Sequence, residues 1–270
     1  MTPRFAAYAL ATCLLLLRAM GLLAQPACEP AMDQHVATQA ALARGDMAAL
    51  YPAAQAAYAG FTACGWDSMQ GRSLSYMAYW EMSQGDYALA GQHFRQVMTH
   101  YQAAGLDSAS SPFIGALNNL AALYAHQDQH AAALDLLETC LRLAPQAPDL
   151  DSSYLANIYF NAGDACIYLG AFAQADSLIR ASTRILQAHL GPEHPRLVLP
   201  LSGLGRLYLQ AGLVDEAVPL LQEVVALQTQ HGALEGGDAQ VYARLGMAYL
   251  QQGRHEKALD HYRLAARAQA

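Results

Sequence analysis

A short turn recurs six times along the chain at almost constant spacing. Its central residues stand at positions 45, 85, 128, 170, 212 and 253, so the successive intervals are 40, 43, 42, 42 and 41 residues. Five of these centres are glycine and the remaining one is Asp128. Glycine suits a helix end because it adopts the left-handed conformation, which aspartate visits more readily than most residues. The spacing therefore predicts an array of repeated structural units.

Small residues flank each turn. Seven residues before the turn centre stand Thr38, Ala78, Ala121, Gly163, Gly205 and Gly246. Five residues after it, five of the six copies carry alanine: Ala90, Ala133, Ala175, Ala217 and Ala258. One helical turn further on, a larger apolar residue faces the same side: Phe94, Leu137, Ile179, Leu221 or Tyr262. Two helices joined by a short turn approach closely only where bulk is absent, so the pattern predicts antiparallel helix pairs.

Two copies depart from this pattern. In the first, Leu50 replaces the small residue, Ala54 replaces the bulky one, and Pro52 is expected to interrupt the second helix early. This copy is interpreted as a degenerate terminal repeat. The second copy has Glu81 where the others mostly carry tyrosine.

The repeats resemble the tetratricopeptide repeat (TPR). The copies that match it best are residues 117–145, with Leu120, Ala121, Tyr124, Ala133, Leu137 and Pro145, and residues 242–265, with Leu245, Gly246, Tyr249, Gly253, Ala258 and Tyr262. The period near 42 residues is longer than the usual 34. One connector, Leu190 to Pro195, is similar to the segment that closes kinesin-light-chain-type repeats. The repeats also resemble those that precede CHAT peptidase domains in bacteria.

The resemblance implies an all-α fold, a right-handed α-solenoid of about six antiparallel helix pairs. The array is expected to cover residues 25–270, with repeats near 31–64 (degenerate), 71–104, 114–147, 156–189, 198–231 and 239–270. Arrays of this kind serve as generic binding scaffolds, and no peptidase domain is recognised in the sequence.

Residues 1–24 have the features of an export signal. Arg4 gives a positive start, residues 5–17 are almost entirely apolar, and Arg18 makes the run too short for a membrane span. Ala24 offers a small residue at the predicted cleavage point, which predicts a secreted or periplasmic protein. A retained anchor is the alternative for this segment. A lipid anchor at Cys28 is disfavoured, because glutamine and proline stand where a lipoprotein box has leucine and a small residue.

Four of the five cysteines remain once Cys13 is removed with the signal. Cys28 and Cys64 bracket the first helix pair, and an exported chain could join them in a disulfide. Cys140 and Cys166 stand at small packing positions, where buried free thiols are favoured.

Composition and motifs limit the function. The chain is 54% hydrophobic and 14% charged, with a net charge of −7, and it lacks a Lys/Arg cluster for binding nucleic acid. The sequence carries no HExxH, GxSxG or Walker A motif, so we predict no enzyme, no cofactor and no metal site.

The first helix of each pair is expected to line a groove, in which polar side chains hold a partner. The resemblance to tetratricopeptide domains implies that asparagine amides hold a peptide backbone and that the two arginines hold the carboxylates of an acidic or C-terminal segment. The predicted function is a non-catalytic scaffold that binds a protein or peptide in the exported or envelope compartment. The alternative is the regulatory repeat module of a peptidase or signalling system whose effector is absent or on another chain. The candidate groove residues are Tyr76, Tyr79, Asn118, Asn119, Asn161, Asp164, Arg206 and Arg244.

Overall fold

The structure, a computed structural model, describes residues 28–106, 109–230 and 239–268. The proposed signal segment, residues 1–24, lies outside this range. The described residues form twelve α-helices and no β-strand, which confirms the all-α class. The helices are α1 (Glu29–Arg44), α2 (Met47–Cys64), α3 (Asp67–Ser83), α4 (Tyr87–Ala103), α5 (Ser111–His126), α6 (His130–Leu143), α7 (Ser152–Tyr168), α8 (Phe172–Leu190), α9 (Val198–Gln210), α10 (Val214–Gln230), α11 (Ala239–Gln251) and α12 (His255–Ala268).

The predicted turns join successive helices into pairs. At the turn between α9 and α10, Gly212 has a φ of 75°, and the Leu213 amide donates to the Tyr208 carbonyl oxygen at 2.8 Å. Asp128 makes the same left-handed turn with a φ of 58°, the only positive φ outside glycine in the described ranges. Aspartate is therefore confirmed as the stand-in for glycine between α5 and α6.

Aspartate side chains begin several of the helices. The Asp46, Asp86 and Asp151 carboxylates each accept a hydrogen bond from the backbone amide three residues on, at 3.0 to 3.1 Å. Each bond satisfies one amide that the first helical turn leaves without an intrahelical partner.

The chain divides into two compact units, residues 1–119 and 120–270, and the boundary falls within α5. In the first unit, Phe61 and Phe94 are fully buried. Pro52 does not interrupt α2, so this expectation is wrong: the helix runs unbroken from Met47 to Cys64. A proline this close to the helix start removes one intrahelical hydrogen bond, and the buried Leu50 and Ala54 hold the helix on both sides of it.

A disulfide joins Cys28 to Cys64 in the first unit. The two Cα atoms lie 5.8 Å apart, and the bond connects the start of α1 to the end of α2. Because the Cys28 sulfur is bonded to Cys64, it cannot at the same time carry a lipid thioether. Cys140 and Cys166, in the second unit, are buried free thiols.

Tyrosine hydroxyls connect neighbouring pairs in the second unit. The buried Tyr208 of α9 donates to the Asp176 carboxylate and accepts from the Arg180 guanidinium, both on α8. One repeat later, the Tyr249 hydroxyl of α11 accepts a hydrogen bond from Gln222 of α10 at 2.9 Å. The first helix of one pair therefore contacts the second helix of the preceding pair through both apolar and polar groups.

Glu81 takes the place of this tyrosine in the first unit. Its buried carboxylate lies 2.8 Å from His93 Nδ1, and the hydroxyl of Tyr51 on the preceding α2 faces it as well. Burial raises the pKa of Glu81, and His93 opposes that effect. The arrangement is thus reversed between the two units. In the first unit the tyrosine is on the second helix of a pair and the acid is on the first helix of the next pair, whereas in the second unit Asp176 and Tyr208 hold the opposite positions.

Candidate binding cleft

A cleft of about 370 Å³ opens in the second unit between the end of α5, the start of α6 and the end of α7. Small side chains line it, namely Ala121, Ala122, Ala125 and Ala165. Polar and aromatic side chains surround them: His126, Asp128, His130, Asn161, Asp164 and Tyr168. The left-handed turn at Asp128 brings the end of α5 and the start of α6 to the same side of this cleft.

Tyr168 contributes an aromatic ring to the lining of the cleft. The His130 imidazole stacks on its ring with the centroids 4.1 Å apart and the planes inclined by 6°. The guanidinium carbon of Arg206 lies 5.0 Å from the same ring centroid. A stacked ring and a cation restrict the tyrosine, so its exposed edge is held in one orientation.

Asp164 and Arg206 form an ion pair beside this stack. The two residues stand at the same position of successive repeats, on α7 and α9. Burial, and then the neighbouring Arg244 guanidinium, lower the pKa of Arg206, which remains a cation at neutral pH because an arginine side chain titrates far above it. The sequence predicted that Arg206 would hold a ligand carboxylate, whereas the structure gives it a carboxylate of the chain itself.

Arg244 is engaged in a similar way. Its Nη1 donates to Ser202 Oγ at 2.9 Å, and its Nη2 donates to Gln240 Oε1 at 3.2 Å. Both arginines of the predicted acidic-peptide seat therefore have partners within the second unit.

Sequence reasoning located part of the cleft and missed the rest. Asn161 and Asp164 were among the predicted groove residues, and both line it. His126 and His130 also line the cleft, although the turn at Asp128 separates them in sequence and they are not among the predicted residues. Tyr168 was missed as well. The sequence feature that could have indicated Tyr168 is its repeat position, since His126 and Tyr168 both stand two residues before a turn centre.

The remaining predicted residues belong to the first unit. Tyr79 is exposed, while Trp80 packs on Tyr51 with the ring centroids 4.6 Å apart. Tyr76 is half-buried, 5.9 Å from the His35 ring, and Asn119 is half-buried too. Asn118 is buried, and the contact of either asparagine with a peptide stays a prediction.

A family model for the tetratricopeptide repeat matches residues 113–188 and 196–269. These two ranges make up more than half of the sequence. The chain belongs to the tetratricopeptide repeat family. A search among curated proteins found no match to this TPR chain.

Solved TPR structures share the fold. BtubC (BKLC) from P. vanneervenii superposes with a TM-score of 0.65 at 19% identity, over 91% of each chain. Kinesin light chain TPR-like repeats from Podosopora anserina give a TM-score of 0.60 at 26% identity, over 74% of this chain and 94% of theirs. The Rap conjugation gene regulator of plasmid pLS20, in complex with the Phr* peptide, gives 0.58 at 15% identity, over 74% of this chain and 53% of that one. The kinesin-light-chain resemblance is thus confirmed, and the CHAT-associated variant stays a prediction.

The structure describes residues 28–106, 109–230 and 239–268 of this TPR chain. Within these described residues, no group of three His, Cys, Asp or Glu side chains is arranged so that it could hold a metal ion. None of the helices in these ranges combines the length and the apolar character that crossing a membrane requires.

Proposed function

We propose that this TPR chain is a non-catalytic scaffold and that the cleft around Tyr168 binds a peptide segment of another protein. The observation that carries the proposal is the cleft itself, with its small side chains and its fixed polar and aromatic rim. Small residues admit a partner side chain, and rim groups whose orientation is already set lose little freedom when it binds.

The fold relatives support a binding role. TPR arrays present surfaces from successive repeats to a partner, and the Rap regulator is solved with a peptide. That likeness concerns the fold, so the chemistry of the bound segment is argued from this cleft alone.

The charges of the cleft favour a basic or neutral segment. Asp128 contributes an exposed carboxylate, the ion pair with Arg206 neutralises Asp164, and no lysine or arginine lines the cleft. An acidic segment would meet like charge here, so the acidic or C-terminal peptide expected from the sequence is replaced by a segment with a lysine or arginine near its centre.

Filling the cleft tests this proposal. Ala125→Trp places a large side chain at a half-buried position of the cleft. Ala173→Trp is the matched control, because Ala173 is exposed on α8 outside the cleft. We expect a native-compartment pull-down with wild-type bait to retain a partner that the Ala125→Trp bait loses and the Ala173→Trp bait keeps. Peptides tiled from the captured partner then identify the segment by fluorescence anisotropy.

The proposal fails if the Ala125→Trp bait, folded as judged by circular dichroism, captures the same partner as well as wild type. The proposed basic or neutral charge of the segment is contradicted if the tiled peptide that binds most tightly is acidic.

We further propose that the chain works in an exported compartment. The disulfide between Cys28 and Cys64 supports this location, because such bonds persist in oxidising compartments and are rare in the cytosol. Fractionation of the native cells, followed by sequencing of the mature N-terminus, tests it. We expect a chain that begins near Gln25 and is found outside the cytosol, whereas an intact Met1 on cytosolic protein would contradict the location.

A further inference from the structure

A second cleft, of about 620 Å³, lies between α8 and α10 of the second unit. Its floor is apolar, because Leu201 and Leu204 of α9 and Leu220 of α10 line it. The charged side chains of its two walls are Asp176, Arg180 and Arg184 on α8 and Glu223 on α10. The residues that line it differ from those that line the cleft around Tyr168, so the two clefts are separate sites.

Arg180 is a fixed part of the α8 wall. Its Nε donates to both carboxylate oxygens of Asp176 at 3.0 Å, and its guanidinium also donates to the Tyr208 hydroxyl. These bonds hold the guanidinium in one orientation, and the charges of Arg180 and Asp176 cancel. The charges that remain available to a ligand are therefore those of Arg184 and Glu223.

Arg184 and Glu223 are exposed and stand on opposite walls of the cleft. In the described chain Arg184 makes one long contact, from its Nε to the Arg180 carbonyl oxygen at 3.4 Å, and pairs with no carboxylate. Glu223 likewise has no cationic partner among the described residues. The cleft thus presents an unpaired cation on one side of an apolar floor and an unpaired anion on the other.

The position of the cleft in the array also matters. The pair formed by α11 and α12 follows α10, so the opening between α8 and α10 does not depend on where the sequence ends. One repeat earlier, Gln174 of α8 donates to Glu138 of α6 at 3.3 Å. Among the described residues, no such side-chain bond joins the two walls of the cleft between α8 and α10.

We propose that this cleft binds an extended peptide segment of a partner protein, with an acidic, an apolar and a basic residue at alternate positions. Arg184 binds the acidic residue, the leucine floor takes the apolar one, and Glu223 binds the basic one. Alternate side chains of an extended chain point to the same side about 7 Å apart, so three of them span about 13 Å. Helices in direct contact lie about 8–10 Å apart, and the cleft separates α8 from α10. A purely acidic or purely basic segment would bring like charges together at one wall.

Four labelled peptides test the proposal. Each has a leucine at its centre, a charged or neutral residue two positions to either side, and glycine and serine elsewhere. The flanking pairs are Glu with Lys, Glu with Glu, Lys with Lys, and Gln with Gln. We expect the Glu–Lys peptide to bind the full chain saturably in fluorescence anisotropy, and the others to bind at least about threefold more weakly. Serine in place of the central leucine should also weaken binding, because the floor then loses its apolar contact.

Charge reversal in the protein gives the sharper comparison. Glu223→Arg should make the Glu–Glu peptide the tightest binder, and Arg184→Glu should do the same for the Lys–Lys peptide. Arg142→Glu is the matched control, because Arg142 is exposed at the same position of the preceding repeat and lies outside the cleft. This variant and Ala125→Trp should keep the preference of the wild type. Circular dichroism checks that each variant is folded.

Three results would overturn the proposal. The first is that the wild-type chain does not bind the Glu–Lys peptide saturably or binds another of the four at least as tightly. The second is a preference that Arg184→Glu and Glu223→Arg leave unchanged. The third is an equal change of preference with Arg142→Glu, because the overall charge of the chain and not the cleft would then decide binding.

Discussion

Gly205 of α9 lies directly against Leu221 of α10. A Cβ atom at Gly205 would stand 2.5 Å from Leu221 Cδ2, closer than two non-bonded carbon atoms approach in proteins. The preceding pair has the same contact, since a Cβ at Gly163 would stand 2.5 Å from Ile179 Cγ1. In these two pairs the small residue before the turn and the large residue after it, which the sequence shows separately, are therefore the two sides of one contact.

Gly205→Ala should lower the free energy of unfolding by about 1 kcal/mol. Alanine gains about 1 kcal/mol of helix propensity over glycine, but overpacking a full core costs about 1–3 kcal/mol. Urea denaturation measures the difference. In a Leu221→Ala background the same change should become stabilising, because the clashing atoms are gone.

Gly246→Ala is the control for this contact. Its Cβ would stand 2.8 Å from Tyr262 Cε1, but Tyr262 is partly exposed and its ring can move outward. We expect a smaller loss than at Gly205, and equal losses at both sites would show that the clash does not decide the effect.

The disulfide should stabilise the first unit by roughly 3–4 kcal/mol, because it closes a loop of 36 residues in the unfolded chain. Cys28→Ser with Cys64→Ser should therefore lower the denaturation midpoint of that unit and make it insensitive to dithiothreitol. The second unit provides the internal control, since its thiols are free. Intact mass under non-reducing conditions also distinguishes the disulfide from a lipidated Cys28.

His35 should make the first unit sensitive to acid. Burial, and then the nearby Arg72, lower its pKa to about 4, so the folded state keeps it neutral where the unfolded state already binds a proton. The free energy of unfolding is therefore unaffected by His35 above about pH 6.5. It decreases as the pH falls from there towards 4, by roughly 3 kcal/mol at most. His35→Phe should flatten this part of the stability–pH curve relative to wild type. Parallel curves would contradict the assignment.

Tyr208→Phe should lower the free energy of unfolding by about 1 kcal/mol, because it removes the hydroxyl through which α9 binds Asp176 and Arg180 of α8. Burial and the Asp176 carboxylate raise the pKa of Tyr208, as expected for a phenol that donates to an acid. Thermal unfolding of Tyr208→Phe, Asp176→Asn and the double variant measures the coupling. Additive losses would show that the hydroxyl and the carboxylate act independently.

Most of the fold could be predicted from the sequence, because the turn residue and its small neighbours are local requirements. The left-handed Asp128 and the free buried thiols of Cys140 and Cys166 are examples. Pro52 was misjudged because its effect depends on position within the helix and on the packing around it. That packing is a tertiary property.

The site was harder to predict than the fold. The sequence predicts that Arg206 lies on the first helix of its pair, but only the packed structure shows that Asp164 is its partner. Nor could the sequence show that the hydroxyls of Tyr208 and Tyr249 reach the preceding helix. Contacts between repeats depend on side-chain length and direction, which periodicity does not specify.

The two buried thiols affect how the covalent bond can form and persist. Burial raises the pKa of Cys140 to about 12 and also raises that of Cys166, so neither supplies the thiolate that attacks a disulfide. Cys28 and Cys64 belong to one helix pair, close together in sequence. Once the second unit has folded, neither Cys140 nor Cys166 therefore competes for the bond between Cys28 and Cys64.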